Sequence, residues 1–246
     1  TRERNEKALA DAETKLEEKS DDLNARYARG KAHFYLGNDE QAVDDLNFLI
    51  DKAASFSSAY QYRAILHARM SKTDEAKKDL AKFMELSKLA NTKVYLDTVV
   101  SAHLGEDAEA MKRLEAFIEE NKDDSGSLYD AACAYSICSE VFKKENATKS
   151  KDYADRAISL ITQAVSHGYG DYTGMQSDAD LDPIRETKGF TELMKVGNLA
   201  LRYTSVWNTS TKYESQESHG LSPTEHLVKC QEMQGKGYRM KAISSA

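Results

Sequence analysis

The chain has 246 residues, of which 40% are hydrophobic and 30% charged, a balance typical of folded proteins rather than disordered or membrane-spanning ones. Its 41 acidic and 34 basic side chains give a net charge of −7, which argues against a nucleic-acid partner because phosphate binding needs clustered Lys and Arg. Only two prolines and twelve glycines interrupt the chain, so the composition favours helices over an all-β fold.

The N-terminal residues lack the apolar core of a signal peptide, and helical patterning begins at once. Since there is also no initiator Met, we expect a fragment that begins within a helical repeat of a longer protein. No stretch approaches the roughly 18 apolar residues of a membrane span. Cys133, Cys138 and Cys230 have neither disulfide-framework nor zinc-site spacing, so the sequence predicts reduced thiols in a cytoplasmic setting.

Residue types recur with a step of 34 over much of the chain. Three sets of positions carry this repeat: small or slender residues at Gly30, Ala64, Thr98 and Ala132; turn-forming residues at Gly37, Ser71, Gly105 and Ser139; and alanines at Ala42, Ala76 and Ala110. Such columns predict stacked helix pairs in which each pair covers the apolar stripe of its neighbour.

The pattern resembles the tetratricopeptide repeat (TPR). Leu128-x2-Ala131-Ala132-x2-Tyr135 follows the first-helix signature of that family, and Ala42-x3-Leu46 follows the second-helix signature. The resemblance covers residues 5–166 and implies a mainly α fold, a right-handed solenoid of three to four helix pairs with a capping helix. Residues 10–19 fit the second helix of a truncated repeat.

The fourth repeat departs from this period. Stepping 34 residues from Ala110 gives Lys144, whereas the next second-helix signature begins 13 residues later, at Ala157. The inserted residues, near 140–153, are polar and basic, as expected of an exposed loop or a lengthened helix end.

Beyond Ser166 the pattern changes. Gly168, Gly170 and Gly174 indicate a turn, residues 180–185 a further short turn, and residues 187–197 a capping helix, so the solenoid domain is predicted to span 1–197. Residues 198–246 form a small, incomplete module, predicted as a strand over 202–207, a helix over 222–234 that begins with a capping box, and a strand over 237–244.

A second resemblance covers residues 125–246. The run from Tyr129 to Tyr135, residues 180–184 and Phe190 look like the TPR region that follows the kinase domain in large bacterial serine/threonine protein kinases. That resemblance implies a bacterial protein whose catalytic domain lies outside this chain, because the kinase motifs themselves do not occur in it.

No pattern of catalytic residues stands out. His33 and His67 occupy the same repeat position and are interpreted as inter-helix packing. His219 and His226 lie near Ser222, but no nucleophile elbow surrounds that serine. We therefore expect no enzyme activity, no cofactor and no metal site.

The TPR resemblance also implies which residues line a concave peptide-binding groove. These positions lie three before, one after, four after and five after the small residue of each first helix. The candidate groove residues are Tyr27, Lys31, Phe34, Tyr35, Gln61, Ile65, Arg69, Tyr95, Val99, His103 and Tyr129. Among them Tyr27, Tyr95 and Tyr129 form an aromatic column interrupted at Gln61, and tyrosine suits recognition because a rigid apolar ring carries a polar tip. The same rings also suit simple packing, in which they fill a tight superhelix or are covered by the C-terminal piece.

Two hypotheses follow. The first is a non-catalytic scaffold that binds a protein or peptide in the groove, as an interaction region of a larger bacterial kinase. The alternative is a structural spacer whose residues 198–246 drive homodimerisation by completing a sheet.

Overall fold

The computed structural model describes residues 2–199, 203–209, 215–221, 229–230, 232–233, 236 and 238–245. The helices and strands within these ranges are α1 (Arg2–Glu18), α2 (Leu23–Leu36), α3 (Asp39–Lys52), α4 (Ser57–Arg69), α5 (Thr73–Leu86), α6 (Ala90–His103), α7 (Asp107–Glu120), α8 (Ser125–Phe142), α9 (Ala147–Ser166), α10 (Tyr172–Ser177), a 3₁₀ helix (Ala179–Ile184), α11 (Lys188–Leu199), β1 (Tyr203–Thr209), β2 (Ser215–Leu221) and β3 (Tyr238–Ser245). They form two compact units, Thr1–Tyr169 with Ser177–Glu186, and Gly170–Gln176 with Thr187–Ala246. No helix in the described ranges is both long and apolar enough to cross a membrane.

The first unit is a series of helix pairs: α2 with α3, α4 with α5, α6 with α7, and α8 with α9. The first helices begin at residues 23, 57, 90 and 125, so the spacing of 33 to 35 residues confirms the predicted repeat. Helix α1 packs against α2 and takes the place of a second helix, as expected for a truncated repeat.

The small-residue columns lie where the helices of a pair come closest. A Cβ atom added at Gly30 would lie 3.1 Å from Cβ of Asp45 on α3. Ala42, Ala76, Ala110 and Ala157 are all completely buried. A larger residue in either column would push the two helices apart, because protein interiors are packed as densely as organic crystals.

The turn column has a common backbone geometry in the first three repeats. Gly37, Ser71 and Gly105 have φ angles of 80°, 58° and 73°, the left-handed conformation that ends many helices. After each one the chain closes the same pair of backbone hydrogen bonds, such as Asn38 N to His33 O with Gly37 N to Phe34 O. The column fails in the fourth repeat, since Ser139 lies inside α8, which continues to Phe142.

The insertion lengthens helices instead of forming a long loop. Helices α8 and α9 have 18 and 20 residues, against 14 in α7. The added turns pack onto the preceding repeat: Lys149 Nζ lies 2.5 Å and Tyr153 Oη 2.9 Å from Oδ2 of Asp107. The Lys149 ammonium also lies 3.8 Å from the centre of the Phe142 ring, a cation–π contact.

In the second unit the described strands form an antiparallel sheet of order β2-β1-β3, in which Val206 lies opposite Glu217 on one side and Ala242 on the other. Helix α11 covers the region of the predicted capping helix. The strand–helix–strand order predicted for 198–246 is not confirmed. A strand that was not predicted, β2, follows β1, and most of the predicted helix over 222–234 lies outside the described residues. The domain boundary at 197/198 stays a prediction.

Candidate functional site

The candidate site lies on the surface formed by the first helices α2, α4, α6 and α8, which pack on one another in that order. We call this surface, which bears the predicted groove residues, the inner face. Some of those residues serve packing: Ile65 is 3% exposed and Val99 is completely buried. They lie beneath the surface and present little to a partner.

The aromatic residues at the α2 end form a cluster of their own. The Tyr27 ring lies edge-on to Phe56 and Tyr62, and the Phe34 ring lies edge-on to Tyr35 and Tyr62, with ring centres 5.0 to 6.1 Å apart. Tyr62 was not predicted, yet it joins these rings. Lys31 is exposed, with Nζ 5.9 Å from the centres of the Tyr35 and Tyr62 rings. This end of the face is therefore rigid and aromatic.

The remaining tyrosines bond to a segment of the same chain. The hydroxyl of Tyr95 donates to Oδ2 of Asp180 at 2.9 Å, and that of Tyr35 to Oδ1 of Asp180 at 3.3 Å. The hydroxyl of Tyr129 donates to Oδ2 of Asp178 at 2.7 Å. Three first helices, α2, α6 and α8, therefore hold two carboxylates at the start of the 3₁₀ helix.

Apolar side chains also hold the 3₁₀ helix against the first helices. Leu181 and Ile184 of the 3₁₀ helix are completely buried, and Ala179 is 8% exposed. Asp178 caps the helix, since its Oδ1 accepts from the backbone N–H of Asp180 at 3.0 Å. Arg185 Nη2 donates to the Asp178 carbonyl oxygen at 2.5 Å, which closes the segment on itself. We call residues 178–184 the inner segment.

The electrostatics of the inner segment follow from its burial. Removal from water, with the neighbouring Asp178 charge second, raises the pKa of Asp180 to about 6, although the hydroxyls of Tyr95 and Tyr35 and the charge of Lys31 act in the opposite direction. Burial also raises the pKa of Tyr95 well above its ordinary value, so this phenol stays protonated and remains a donor. Burial likewise raises the pKa of Asp130, which accepts a hydrogen bond from Asn91 Nδ2.

The inner segment divides the inner face into two parts. On one side a cavity of about 130 Å³ lies between Gln61, Tyr95, Tyr129 and the two segment carboxylates. On the other side a larger, open cavity of about 590 Å³ is lined by all four first helices: by Tyr35, Arg69 and His103 of α2, α4 and α6, and by Ile137, Glu140 and Val141 of α8. Ala179, Asp182 and Pro183 of the inner segment line it as well.

The open cavity combines apolar surface with fixed charges. Arg69 Nη2 lies 2.5 Å from Oδ1 of Asp39, and its guanidinium lies 4.9 Å from the centre of the Phe34 ring. Burial, with a smaller effect of the Arg69 charge, lowers the pKa of His103 to about 4, so this imidazole is neutral near pH 7. The cavity thus offers a neutral ring, aliphatic surface and a positioned guanidinium.

Sequence reasoning placed the correct columns on one surface but missed their occupant. Gln61, Tyr95 and Tyr129 flank the small cavity, and Tyr35, Arg69 and His103 line the large one. The sequence analysis left open whether the rings bind a partner, pack or are covered by the C-terminal piece, and it predicted residues 180–185 as a short turn. In the structure residues 178–184 lie on the inner face. Its role as a peptide-binding groove stays a prediction.

Comparison with known proteins gives distant similarities only. No known family matches the chain, and no curated protein sequence does. Among solved structures, MamA is 15% identical with a TM-score of 0.40 and covers 65% of this chain and 85% of its own. A tetratricopeptide repeat protein from Parabacteroides merdae is 17% identical with a TM-score of 0.47, covering 79% and 78%.

The TPR domain of P58(IPK) is 20% identical with a TM-score of 0.36, covering 79% of this chain and 54% of its own. At these identities and TM-scores the similarities carry no argument about partners or activity. The helix-pair repeat is a property of the chain's own helices and their spacing.

Proposed function

We propose that this chain is a non-catalytic, TPR-type scaffold that binds a protein or peptide through its inner face. The observation that carries the proposal is the open cavity of about 590 Å³, to which each of the four first helices contributes at least one side chain. Ligand sites are typically concave, mostly apolar and provided with a few placed polar groups, and this cavity has that character.

The residues of the cavity suit an uncharged or amphipathic side chain of a partner. Tyr35, Ile137 and Val141 supply apolar surface, while Arg69 and Lys143 are balanced by Glu140, Asp182 and Glu186. Because Arg69 is already paired with Asp39, a partner that brought an unpaired charge would gain little from it. Shape and apolar contact therefore dominate recognition here.

Selection from a random peptide library on the immobilised full chain tests this proposal. We expect the wild type to enrich related peptides, and Ile137→Arg to abolish that enrichment because the longer charged side chain fills the cavity. Lys112→Ala is the matched control, since Lys112 lies on α7 with its side chain 72% exposed and does not line the cavity. Circular dichroism establishes that both variants are folded.

The proposal fails if the wild type enriches no peptides, or if Ile137→Arg enriches the same ones as the wild type. Loss of enrichment in Lys112→Ala as well would indicate binding away from the inner face.

We further propose that the scaffold serves as a regulatory region of a larger bacterial serine/threonine protein kinase. The likeness of residues 125–246 to the TPR regions of such kinases supports this context. The reading frame upstream of Thr1 tests it: a glycine-rich loop followed by H-R-D and D-F-G motifs is the expected result. An upstream region without them contradicts it.

The second candidate function, a spacer that self-associates, is favoured by one observation. In the described sheet β1 is central, so β2 and β3 each have a strand on one side only. Strands of this kind pair readily with another chain. Light scattering of the full chain over a concentration series tests the idea, and a monomer throughout contradicts it.

A further inference from the structure

The strongest clue to the partner's chemistry is the segment already seated on the inner face. We propose that the inner face recognises an acidic–aliphatic peptide of the pattern Asp-x-Asp-Leu-x-x-Ile, and that residues 178–184 are an intramolecular copy of that ligand with which a partner competes. The inference rests on the proposed function and concerns the part of the inner face that residues 178–184 occupy, beside the open cavity.

The first support is the match of polar groups. Three phenol hydroxyls from separate repeats, on Tyr35, Tyr95 and Tyr129, donate to two carboxylates only two residues apart in the chain. A phenol donor that loses its acceptor in a buried site costs about as much free energy as the hydrogen bond contributes, or more. The face therefore discriminates in favour of acceptors at these two positions.

The second support is the pair of aliphatic anchors. Leu181 and Ile184 point inward and are completely buried, whereas Asp182 between them is exposed. Apolar side chains that fill pockets supply most of the affinity in peptide recognition, and neighbouring polar groups supply the register. The spacing of the anchors thus defines the aliphatic part of the pattern.

The third support is that the polar contacts of Asp178 and Asp180 determine which ligand fits more than they add to the stability of the fold. Among the described residues, neither Asp178 nor Asp180 forms an ion pair, and a carboxylate that is buried without a cation is held at a cost. A contact of this kind is exchangeable for an equivalent one from another chain. The internal copy is favoured chiefly because it is tethered, which makes its binding intramolecular.

The test uses a fluorescent synthetic peptide of residues 177–186 and the full-length chain. Leu181→Ala with Ile184→Ala in the protein removes the anchors of the internal copy and leaves the tyrosines intact. By fluorescence anisotropy we expect this variant to bind the peptide at least tenfold more tightly than the wild type does.

Two controls establish that the expected contacts are responsible. A peptide carrying Asp178→Ala and Asp180→Ala is expected to bind at least tenfold more weakly, because three phenol donors lose their acceptors. Tyr95→Phe with Tyr129→Phe, added to the anchor-free variant, is expected to weaken binding of the unmodified peptide by a similar factor.

The proposal is overturned if the anchor-free variant is folded and binds the peptide no more tightly than the wild type. If that variant does not fold, hydrogen exchange on the wild type decides. Millimolar unlabelled peptide should accelerate amide exchange over residues 178–184, and unchanged exchange would mean that the segment is a fixed part of the fold. If library selection enriches related peptides while the peptide of residues 177–186 does not bind, the proposed scaffold function is supported and only the proposed ligand class is contradicted.

Discussion

The first helix of each repeat makes contacts on two surfaces, one toward the second helix and one on the inner face. The contacts on the two surfaces differ in how regularly they recur along the chain. The surface toward the second helix carries an ion pair at the same spacing in three repeats: Arg29 with Asp45, Arg63 with Asp79, and, with the charges exchanged, Asp97 with Arg113. The inner face instead holds a segment that occurs once in the chain. Contacts between the helices of one repeat recur with the period, whereas the contact with the inner segment has no counterpart among the described residues.

The three ion pairs also differ in how deeply their side chains are buried, so we expect them to differ in their contribution to stability. The side chains of Asp45 and Asp79 are 1% and 4% exposed, whereas those of Asp97 and Arg113 are 20% and 56% exposed. Breaking a buried ion pair leaves an uncompensated charge, while an exposed pair contributes little. The same sequence spacing thus corresponds to different energetic roles.

The largest expected effect is the loss of the Arg63 guanidinium. Arg63→Met leaves the buried Asp79 carboxylate with only His67 Nδ1, at 2.9 Å, in place of its bidentate partner and should lower the free energy of unfolding by about 3 kcal/mol. The matched variant Arg113→Met, in the exposed pair, should cost less than about 1 kcal/mol. Urea unfolding followed by circular dichroism measures the free energy of unfolding of both variants. Equal decreases in the two variants would contradict the link between burial and stability.

The next effect concerns the inner segment and pH. The folded-state pKa of Asp180 is about 6, above its ordinary value of 3.8, so the folded state retains a proton that the unfolded state has lost. The contribution of Asp180 to stability is therefore fully present below about pH 4 and is lost as the pH rises through 6, by an amount on the order of 2–3 kcal/mol. Asp180→Asn should remove this dependence.

Unfolding of the wild type and of Asp180→Asn between pH 4 and 7 isolates the contribution of Asp180, because the other titrating groups are common to both. If the free energies of unfolding of the two proteins changed in parallel with pH, the pKa of Asp180 would not be raised in the folded state.

A smaller effect tests whether the third repeat is a true counterpart of the first two. Asp97→Arg places two cations together and should cost about 1 kcal/mol, and adding Arg113→Asp should restore stability to within about 0.5 kcal/mol. A double-mutant cycle from urea unfolding gives the coupling energy. If the double variant were no more stable than Asp97→Arg alone, the ion pair between Asp97 and Arg113 would contribute nothing to stability.

The smallest effect is at the turn column. Ser71 adopts the left-handed conformation that Gly37 and Gly105 adopt in the neighbouring repeats. Ser71→Gly relieves the backbone strain at the cost of unfolded-state entropy, so we expect a gain of about 0.5 kcal/mol in thermal unfolding. Gly37→Ala, its control, should lose about 1 kcal/mol, and a loss in both would contradict a shared turn geometry.

Much of the fold was predictable because it is local and periodic. Helix lengths, the left-handed turns and the alanine columns depend on contacts within a repeat or with its neighbour, and they recur at the predicted spacing. The ion pairs also have a signal in the sequence, an Arg and an Asp 16 residues apart in successive repeats, although they were not predicted. The predicted insertion near 140–153 falls where α8 ends and α9 begins, and only packing decided that these helices would be longer than the others.

By itself, then, the sequence determined the helix pairs, their period and the columns that face inward. Only the tertiary structure decided what lies on the inner face. The bonds from Tyr35 and Tyr95 to Asp180 join residues 145 and 85 positions apart, and no repeat or motif marks such a pairing. The physical reason is that a periodic stack specifies its own surfaces, whereas the occupant of a surface is selected by the complementarity of donors, acceptors and apolar pockets that exists only after the stack has formed.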